Sequence, residues 1–333
     1  MSDPRTFAEF VGNARVVDIL RRAVRQNRLP HALVFAGPAG IGKRTLALLL
    51  ARMLNCDAPE AGRPCGRCSP CRKILAKSHP DVRLIEPDGA NIRIEQTREL
   101  IAEMAYQPFE ARTRVVILDP ADQMQAQAAN SLLKTLEEPA SRTVLVLVTP
   151  RPYMLLVTIR SRARILQFGP IAASQLEDHL AAHLGKTRQE ARLAALFSGG
   201  SLGAALEFDS EGFREARAKA LRYARSLLAR GSFTEVSALV SEVAKDKEGF
   251  PAWLDALSAI LQDTYYAHVA PRLVGQSDIG AELKELSAAS SRESVASTIR
   301  SVQAFRRSLQ SNVNRAIGLE ALFLGERRGA RPL

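Results

Sequence analysis

The chain has 333 residues, of which 46% are hydrophobic and 24% charged, a balance that is ordinary for a soluble globular protein of two or three domains. Its first residues carry no apolar signal-peptide core and no apolar run reaches membrane-spanning length, so we expect a cytoplasmic protein. The formal charge of +11 suggests an anionic partner such as nucleic acid, although a solvated basic surface would give the same charge.

A glycine-rich loop follows the first predicted helix, at residues 13–26, and the first predicted strand, at residues 32–36. The loop contains Gly37, Gly40, Gly42 and Lys43. Residues 46–54 after it are strong helix formers. Strand, loop and helix in this order are typical of a P-loop, in which backbone N–H groups cradle phosphates and the lysine reaches the outer ones. The segment therefore predicts a nucleotide site.

The residue after Lys43 argues against hydrolysis at that site. A working P-loop has Ser or Thr there to ligate Mg²⁺, whereas Arg44 has five donors and no acceptor. Thr45 follows, but one helical step turns a side chain by about 100° and aims its hydroxyl away from the metal position. We expect a loop that is built for a nucleotide and altered against hydrolysis, with Thr45 as a further candidate contact.

The four cysteines of the chain lie close together in the sequence. They are Cys56, Cys65, Cys68 and Cys71. In a reducing compartment this clustering favours a structural Zn²⁺ site over disulfides, because four thiolates complete a closed tetrahedron. Free thiols are the alternative. The ion would stabilise a loop and take no part in catalysis, since a closed site has no open coordination position.

A second nucleotide-site element follows the predicted strand at residues 82–85 and the predicted helix at residues 94–106. Residues 114–118 are an apolar strand, and Asp119 comes directly after it, where a Walker B acid would orient the metal. The next residue, Pro120, has no ionisable group, so the general base of an ATPase is absent there.

The strand pattern is confined to the first half of the chain. Strands alternate with helices up to residue 169, including a helix at residues 123–138, which predicts a parallel sheet with helices on both faces. Residues 170–208 predict a small helical bundle, with Ser174 as the N-cap of its first helix. Residues 209–333 show only amphipathic helical patterns and predict an all-α domain.

Three consecutive motifs resemble those of bacterial clamp-loader subunits, which belong to the AAA+ class. They are NSLLKTLEEP at residues 130–139, the strand TVLVLVT at residues 143–149 and Ser161-Arg162-Ala163. The order of P-loop, cysteine cluster, Asp119 and motifs is also that of the family. The resemblance implies an AAA+ P-loop domain at residues 1–169, a lid at residues 170–208, a collar for assembly at residues 209–333 and a nucleotide sensor at Thr149.

Two subunit types of the bacterial DNA polymerase III clamp loader share this layout, the ATP-hydrolysing tau/gamma type and the delta-prime type. Gly203 stands where tau/gamma carries a sensor arginine, and Arg44 and Pro120 depart from that type as well. Ala163 replaces the family's cysteine and leaves the neighbouring arginine intact. The set resembles delta-prime more than tau/gamma. It leaves open whether ATP or ADP binds the altered loop.

The resemblance also implies a role for Arg162. A subunit that cannot hydrolyse its own nucleotide can still present a guanidinium to the γ-phosphate of a neighbour, where a trans arginine is worth about 10³–10⁵ in rate. The alternative is that Arg162 belongs to a basic cluster with Arg160 and Arg164 and makes only local contacts.

The partners implied are tau/gamma and delta subunits in a hetero-pentameric core, the sliding clamp and primer–template DNA, with no membrane. Within the polymerase III holoenzyme we expect the chain to help load the clamp without independent catalysis. The alternatives are an active ATPase of the tau/gamma type and a stand-alone zinc-containing DNA-binding protein. The order of AAA+ motifs argues against the second alternative, and Arg44, Pro120 and Gly203 argue against the first.

Overall fold

The computed structural model describes residues 4–229, 231–311 and 313–328, and within them five strands form one parallel sheet. The strands are β1 (Ala32–Ala36), β2 (Val82–Ile85), β3 (Arg114–Leu118), β4 (Thr143–Thr149) and β5 (Arg164–Gln167). Their order across the sheet is β2-β3-β4-β1-β5. The central strands β1, β3 and β4 are buried along their whole length, which is why they appear in the sequence as continuous apolar runs.

Helices cover both faces of this sheet, and the side chains of β1 show it directly. Leu33 and Phe35 pack into one apolar core, whereas Val34 and Ala36 pack into another on the opposite face. The helices of this region are α1 (Ala14–Arg25), α2 (Lys43–Asn55), α3 (Ser69–Leu75), α4 (Ile94–Met104), α5 (Ala126–Ser131), α6 (Leu133–Glu137) and α7 (Val157–Arg160). The predicted α/β fold class is confirmed.

The stretch predicted as helical at residues 123–138 is helical over most of its length, but it is interrupted. The chain there makes a short 3₁₀ turn (Ala121–Gln123) and then α5 and α6, which meet at Leu132. Gln125 donates its N–H to the carbonyl of Ile92, which holds the segment before α5 extended. The hydroxyl of Ser131 donates to the carbonyl of Ala128 at 2.7 Å, a bond of the kind that bends helices.

Three further helices complete the first compact unit, which ends at Phe208. They are α8 (Ala173–His183), α9 (Arg188–Phe197) and α10 (Leu202–Glu207). The prediction of Ser174 as an N-cap was wrong, because α8 begins at Ala173 and its N-cap is Ala172. The chain before α8 is fixed instead by Ile171, which donates its N–H to the carbonyl of Gly200 at 2.9 Å.

The second unit begins at Asp209 and is helical in its described residues, as the sequence predicts. Its helices are α11 (Ser210–Leu228), α12 (Phe233–Lys245), α13 (Phe250–Val269), α14 (Gly280–Ala288), α15 (Arg292–Ser308) and α16 (Arg315–Arg328). Tyr223 and Trp253 lie in its core with ring centroids 5.4 Å apart. None of the helices in the described parts of either unit is long and apolar enough to cross a membrane.

Candidate functional site

The glycines of the P-loop give its backbone the path that a phosphate cradle needs. Gly40 and Gly42 have φ values of +71° and +91°, in the left-handed region that favours glycine. A Cβ on Gly37 would lie 2.4 Å from the carbonyl oxygen of Phe168, so only glycine fits there. Helix α2 begins directly after the loop, at Lys43, and its first N–H groups are free to point at an anion.

The ammonium group of Lys43 is folded back onto the loop. Its Nζ donates to the carbonyls of Gly37 at 2.7 Å and Pro38 at 2.5 Å. Burial lowers the pKa of Lys43, an effect opposed by the charges of Asp119 and Asp122. The lysine is therefore placed at the loop as predicted, but it would have to leave these carbonyls to reach a bound phosphate.

Arg44, the residue directly after Lys43, forms ion pairs with two acidic side chains. Its guanidinium donates to Asp119 and pairs with Glu86 at 2.8 Å. Burial disfavours the charge, but the hydrogen bonds and charges of the two acids outweigh it and raise the pKa of Arg44. The guanidinium of Arg44 therefore engages Asp119, the residue that the sequence predicts as a Walker B acid.

The opening beside the loop is a cleft of 470 Å³. Lys43, Arg44, Thr45, Asp119 and Pro120 line it together with residues of α10. The structure thus brings the predicted P-loop and Walker B residues to one cleft. Of these side chains, Asp119 alone is acidic, and Arg44 already pairs with it.

Helix α10 lies directly on the P-loop through two glycines. Gly203 donates its N–H to the carbonyl of Gly40 at 2.9 Å, which satisfies one of the donors at the start of α10. A Cβ on Gly203 would lie 3.2 Å from the Cα of Gly40, and a Cβ on Gly40 would lie 2.2 Å from Oγ of Ser201. Gly203 is therefore a packing residue of this contact.

Thr149 is buried at the end of β4, beside the loop, and its carbonyl accepts the N–H of Gly37 at 3.2 Å. Its hydroxyl donates to Asp122 at 2.8 Å and accepts the N–H of Arg151 at 2.9 Å. The Arg151 guanidinium in turn pairs with Asp122 at 2.7 Å. The hydroxyl thus belongs to a local network, and the sensor role of Thr149 stays a prediction.

The four cysteine sulfurs converge as the sequence predicts, with all Sγ atoms within 4.8 Å of one another. In a tetrahedral Zn²⁺ site the Zn–S distance of about 2.3 Å sets the sulfurs about 3.8 Å apart, and Cys68 and Cys56 lie 3.9 Å apart. Burial raises the pKa of Cys56 and of Cys71, whereas the pKa of Cys65 is lowered to about 6 against the effect of burial, because N–H groups of Arg67 and Cys68 bond to its sulfur. The residues therefore fit a closed four-thiolate metal site.

Arg162 lies on the surface, after α7 and two residues before β5 begins. Its guanidinium pairs with Glu137 at 2.7 Å and donates to the carbonyl of Thr158 at 3.1 Å. Glu137 is the last residue of α6, within the NSLLKTLEEP motif. Two of the three motifs that carried the family resemblance are therefore joined by an exposed ion pair.

Known proteins resemble this chain over nearly its whole length. Residues 12–172 match the family model described as DNA polymerase III, delta subunit. The DNA polymerase III subunit delta' of Bacillus subtilis is 34% identical over 304 residues, which cover 90% of this chain and 92% of that protein. The chain belongs to the delta-prime family of DNA polymerase III subunits. The predicted clamp-loader resemblance is thereby confirmed at the level of the family.

Other relatives place the delta-prime family beside tau/gamma. The delta' subunit of Pseudomonas aeruginosa is 42% identical over 204 residues, 60% of this chain and 61% of that protein. The tau subunit of Escherichia coli is 34% identical over 214 residues, 62% of this chain and 33% of that protein. Among solved structures, a DNA polymerase III gamma subunit-related protein of Thermotoga maritima matches 95% of this chain and 99% of its own, with 20% identity and a TM-score of 0.40.

One cavity of the structure was not predicted from the sequence. A cavity of 340 Å³ lies on the other side of the P-loop, between the segment around Phe10 and helix α8. His179 and His183 line it with ring centroids 4.9 Å apart, and burial and the charge of His183 lower the pKa of His179. The i, i+4 spacing of the two histidines was a visible signal, but nothing in the sequence joined them to Phe10.

Proposed function

We propose that this chain is a delta-prime-type clamp-loader subunit that helps load a sliding clamp onto primed DNA without hydrolysing ATP itself. One observation carries the proposal: the Arg44 guanidinium pairs with Asp119 and Glu86 at the place where a hydrolytic P-loop needs Mg²⁺. A guanidinium offers donors only and cannot ligate a cation. Arg44 stands at the position of the expected hydroxyl residue and Asp119 at that of the expected acid, and the two side chains pair with each other.

Pro120 and Gly203 also argue against hydrolysis of ATP by this chain. Pro120 supplies no general base, and loss of acid–base help alone costs about 10²–10⁴-fold in rate. Gly203 offers no cation to the phosphates, and its contact with Gly40 leaves little room for a larger side chain. Binding of ATP or ADP to the loop is compatible with its backbone, but we propose that it has no hydrolytic role.

We further propose that Arg162 acts in trans at the nucleotide of a neighbouring subunit. The guanidinium is exposed, and its partner Glu137 is exposed as well, so solvent screens the pair and a phosphate can compete for it. The neighbours would be tau/gamma and delta subunits in a pentameric core. Residues 170–208 would serve as the lid and residues 209–333 as the collar, with primer–template DNA and the sliding clamp bound by the whole assembly.

We propose that the cysteine cluster holds a structural Zn²⁺. Cys56, Cys65, Cys68 and Cys71 would be its ligands, and the ion would supply cross-linking of the segment between α2 and α3. Four thiolates leave no open position for a substrate. The site therefore stabilises the fold and contributes no step to the reaction.

The deciding experiment compares Arg162→Ala with Arg164→Ala in a loader reconstituted from tau/gamma, delta and this chain. We expect Arg162→Ala to slow the nucleotide site that it faces by about 10³-fold or more, which removes that site's share of the DNA-stimulated ATPase rate. Arg164→Ala, which removes the same charge nearby, should leave the rate within twofold of the parent.

Three results would overturn the proposal. An unchanged ATPase rate for Arg162→Ala would remove the trans role. Substantial Mg²⁺-dependent ATP turnover by the purified chain alone would favour an active tau/gamma-type ATPase. Tight binding of DNA by the chain without partners would favour a stand-alone DNA-binding protein.

A further inference from the structure

A cleft in the second unit combines apolar walls with two arginine side chains. Its volume is 480 Å³, within the range of about 300–1,000 Å³ that is usual for ligand pockets. The residues that matter for its chemistry come from α13, from α15 and the turn after it, and from the start of α16. They are the apolar Phe250, Leu254 and Leu309 and the charged Asp255, Arg306 and Arg315.

Arg315 carries a positive charge that the described residues leave without an anion. Its guanidinium lies over the ring of Phe250, 4.5 Å from the ring centroid, and this contact fixes the orientation of the group. Its Nη1 is shielded from water and has no hydrogen-bond partner within the described part of the chain. A shielded charged donor of this kind gains free energy when an acceptor is supplied. Because Arg315 lines the cleft, an anion that enters it meets this charge.

Arg306 is the second cation of the cleft, and it is already paired. Its Nη2 lies 2.7 Å from Oδ1 of Asp255 and donates to the hydroxyl of Ser258 at 3.2 Å. The pair is about half exposed on both sides, so solvent screens it. Asp255 offsets the charge of Arg306, and the charge of Arg315 remains as the net charge of the lining.

The composition of the cleft favours a carboxylate that stands next to an apolar side chain. A planar guanidinium matches the two oxygens of a carboxylate or of a phosphate. The apolar walls around Phe250 and Leu309 favour an apolar group beside that anion. Asp255 would repel a nucleic-acid strand, which carries one negative charge per phosphate. An acidic residue with an apolar neighbour therefore fits the cleft better than a nucleic acid does.

The size of the cleft indicates a short segment rather than the face of a folded domain. A stable interface between folded proteins buries about 800 Å² on each partner, whereas this cleft has room for only a few side chains. Its wall at the start of α16 is held in place, because the N–H groups of Ala316 and Ile317 donate to Oδ1 of Asn314 at 3.0 and 3.2 Å. A preorganised cleft loses little conformational entropy when a segment binds.

We infer that this cleft binds a short acidic and apolar peptide segment of a partner protein. A carboxylate of the segment contacts Arg315, and an apolar side chain beside it packs between Phe250 and Leu309. The inference goes beyond the proposed function, which assigns residues 209–333 to assembly of the subunits. It requires neither the nucleotide cleft nor Arg162, which belong to the first unit.

The experiment uses two fluorescently labelled peptides, one with a central Glu-Leu-Leu sequence and one with Gln-Leu-Leu. Each peptide is titrated with the full-length chain, and binding is followed by fluorescence anisotropy. We expect the glutamate peptide to bind saturably and the glutamine peptide to bind at least about tenfold more weakly, the effect of one lost charge-assisted contact. In Arg315→Gln the two peptides should bind alike, because the cation that distinguishes them is gone.

Two further variants separate the cleft from general effects of charge and folding. Arg307→Gln removes the same charge from an exposed position that does not line the cleft, and the affinity should stay within about twofold. Val313→Glu places a carboxylate in the lining, at a residue that is 39% exposed, without removing Arg315. The new carboxylate competes for the guanidinium, so we expect the glutamate peptide to bind about tenfold more weakly. Thermal melting of the three variants checks that they fold.

Equal affinity of the two peptides for the parent chain, or no saturable binding of either, would contradict the inference. Binding of single-stranded oligothymidine that depends on Arg315, without binding of the peptides, would make the cleft a nucleic-acid contact. Loss of peptide binding once the tau/gamma and delta subunits are added would make it a subunit interface, and either result overturns the inference. None of these results depends on the ATPase rate of Arg162→Ala, so the inference and the proposed function fail separately.

Discussion

Arg44 and Arg162 both form ion pairs with carboxylates, and the surroundings of the two pairs differ. Arg44 pairs with Asp119, whose side chain is only 13% exposed, at the floor of the P-loop cleft. Arg162 pairs with Glu137, whose side chain is 52% exposed, on the outer surface. A pair at the surface contributes about 0–1 kcal/mol, whereas a partly buried carboxylate that loses its partner is costly. The first pair is a fixed part of the fold, and the second can be exchanged for another anion.

The contrast agrees with the proposal that the chain does not hydrolyse ATP and contributes an arginine to another subunit. Arg44 pairs with Asp119 within the subunit and neutralises its charge. Arg162 is held in place by a partner that solvent weakens, so its guanidinium stays available to a phosphate. The two arginine side chains are about equally exposed, 39% for Arg44 and 37% for Arg162, so the burial of Asp119 is what distinguishes the two pairs.

The largest effect that would test this contrast comes from Arg162→Lys. Lysine keeps the charge but loses the planar fork that contacts two oxygens at once. We expect the nucleotide site that it faces to slow by about 10²-fold or more, while the free energy of unfolding stays the same. Single-turnover ATPase of the assembled loader measures the first quantity and urea denaturation the second. A full rate with lysine would show that charge alone is sufficient.

The next effect concerns stability. Arg44→Ala leaves Asp119 and Glu86 without their cation, and we expect the free energy of unfolding to fall by about 1–3 kcal/mol. Arg162→Ala is the matched control and should cost no more than about 1 kcal/mol. Urea denaturation of the two single variants makes the comparison. Equal losses would remove the distinction between a structural and an exchangeable pair.

A smaller effect is a gain of function at the P-loop. Arg44→Thr restores the hydroxyl that a P-loop metal needs and frees Asp119 to orient it. We expect ATP to bind about tenfold more tightly in Mg²⁺ than in EDTA, a difference of about 1.4 kcal/mol, with no turnover because Pro120 supplies no base. Arg44→Ala, which removes the guanidinium without adding a hydroxyl, should show no such Mg²⁺ dependence in calorimetry. The same Mg²⁺ dependence in both variants would contradict the role of the hydroxyl.

The smallest effect is that of Glu137→Gln. Because the pair is exposed and screened, we expect the free energy of unfolding, obtained from thermal melting, to change by less than about 0.5 kcal/mol. Glu138→Gln, one residue further along the chain, is the control and should behave alike. A loss above 1 kcal/mol for Glu137→Gln alone would mean that the exposed pair stabilises the fold as the cleft pair does.

Much of the fold could be predicted because its signals are local. The three central strands are apolar runs with no alternation, as expected when both faces of a parallel sheet are covered. The cysteine spacing predicted that the four sulfurs meet, because residues close in sequence can converge without help from the rest of the fold. The break at Leu132 was not predicted, because the apolar pattern does not show that the hydroxyl of Ser131 bonds to the carbonyl of Ala128 and also contacts Thr97 on another helix.

The geometry of the nucleotide site was only partly predictable. The sequence shows that Arg44 lacks a hydroxyl, but the pairing with Asp119 joins residues that are 75 positions apart. Glu86 carried no motif, so nothing marked it as the second partner of Arg44. The same holds for the exposed side chains of Tyr153, Met154 and Val157, because an apolar pattern does not reveal which of its members face water.

The contact between Gly40 of the P-loop and Gly203 of α10 limits which side chains position 203 can carry. An arginine at position 203 would bring a Cβ within 3.2 Å of the Cα of Gly40, so the helix or the loop would have to shift by a few tenths of an ångström. That shift would lengthen the 2.9 Å bond between the Gly203 N–H and the Gly40 carbonyl. Adding an arginine at position 203 therefore meets a steric cost that is independent of the chemistry of the site.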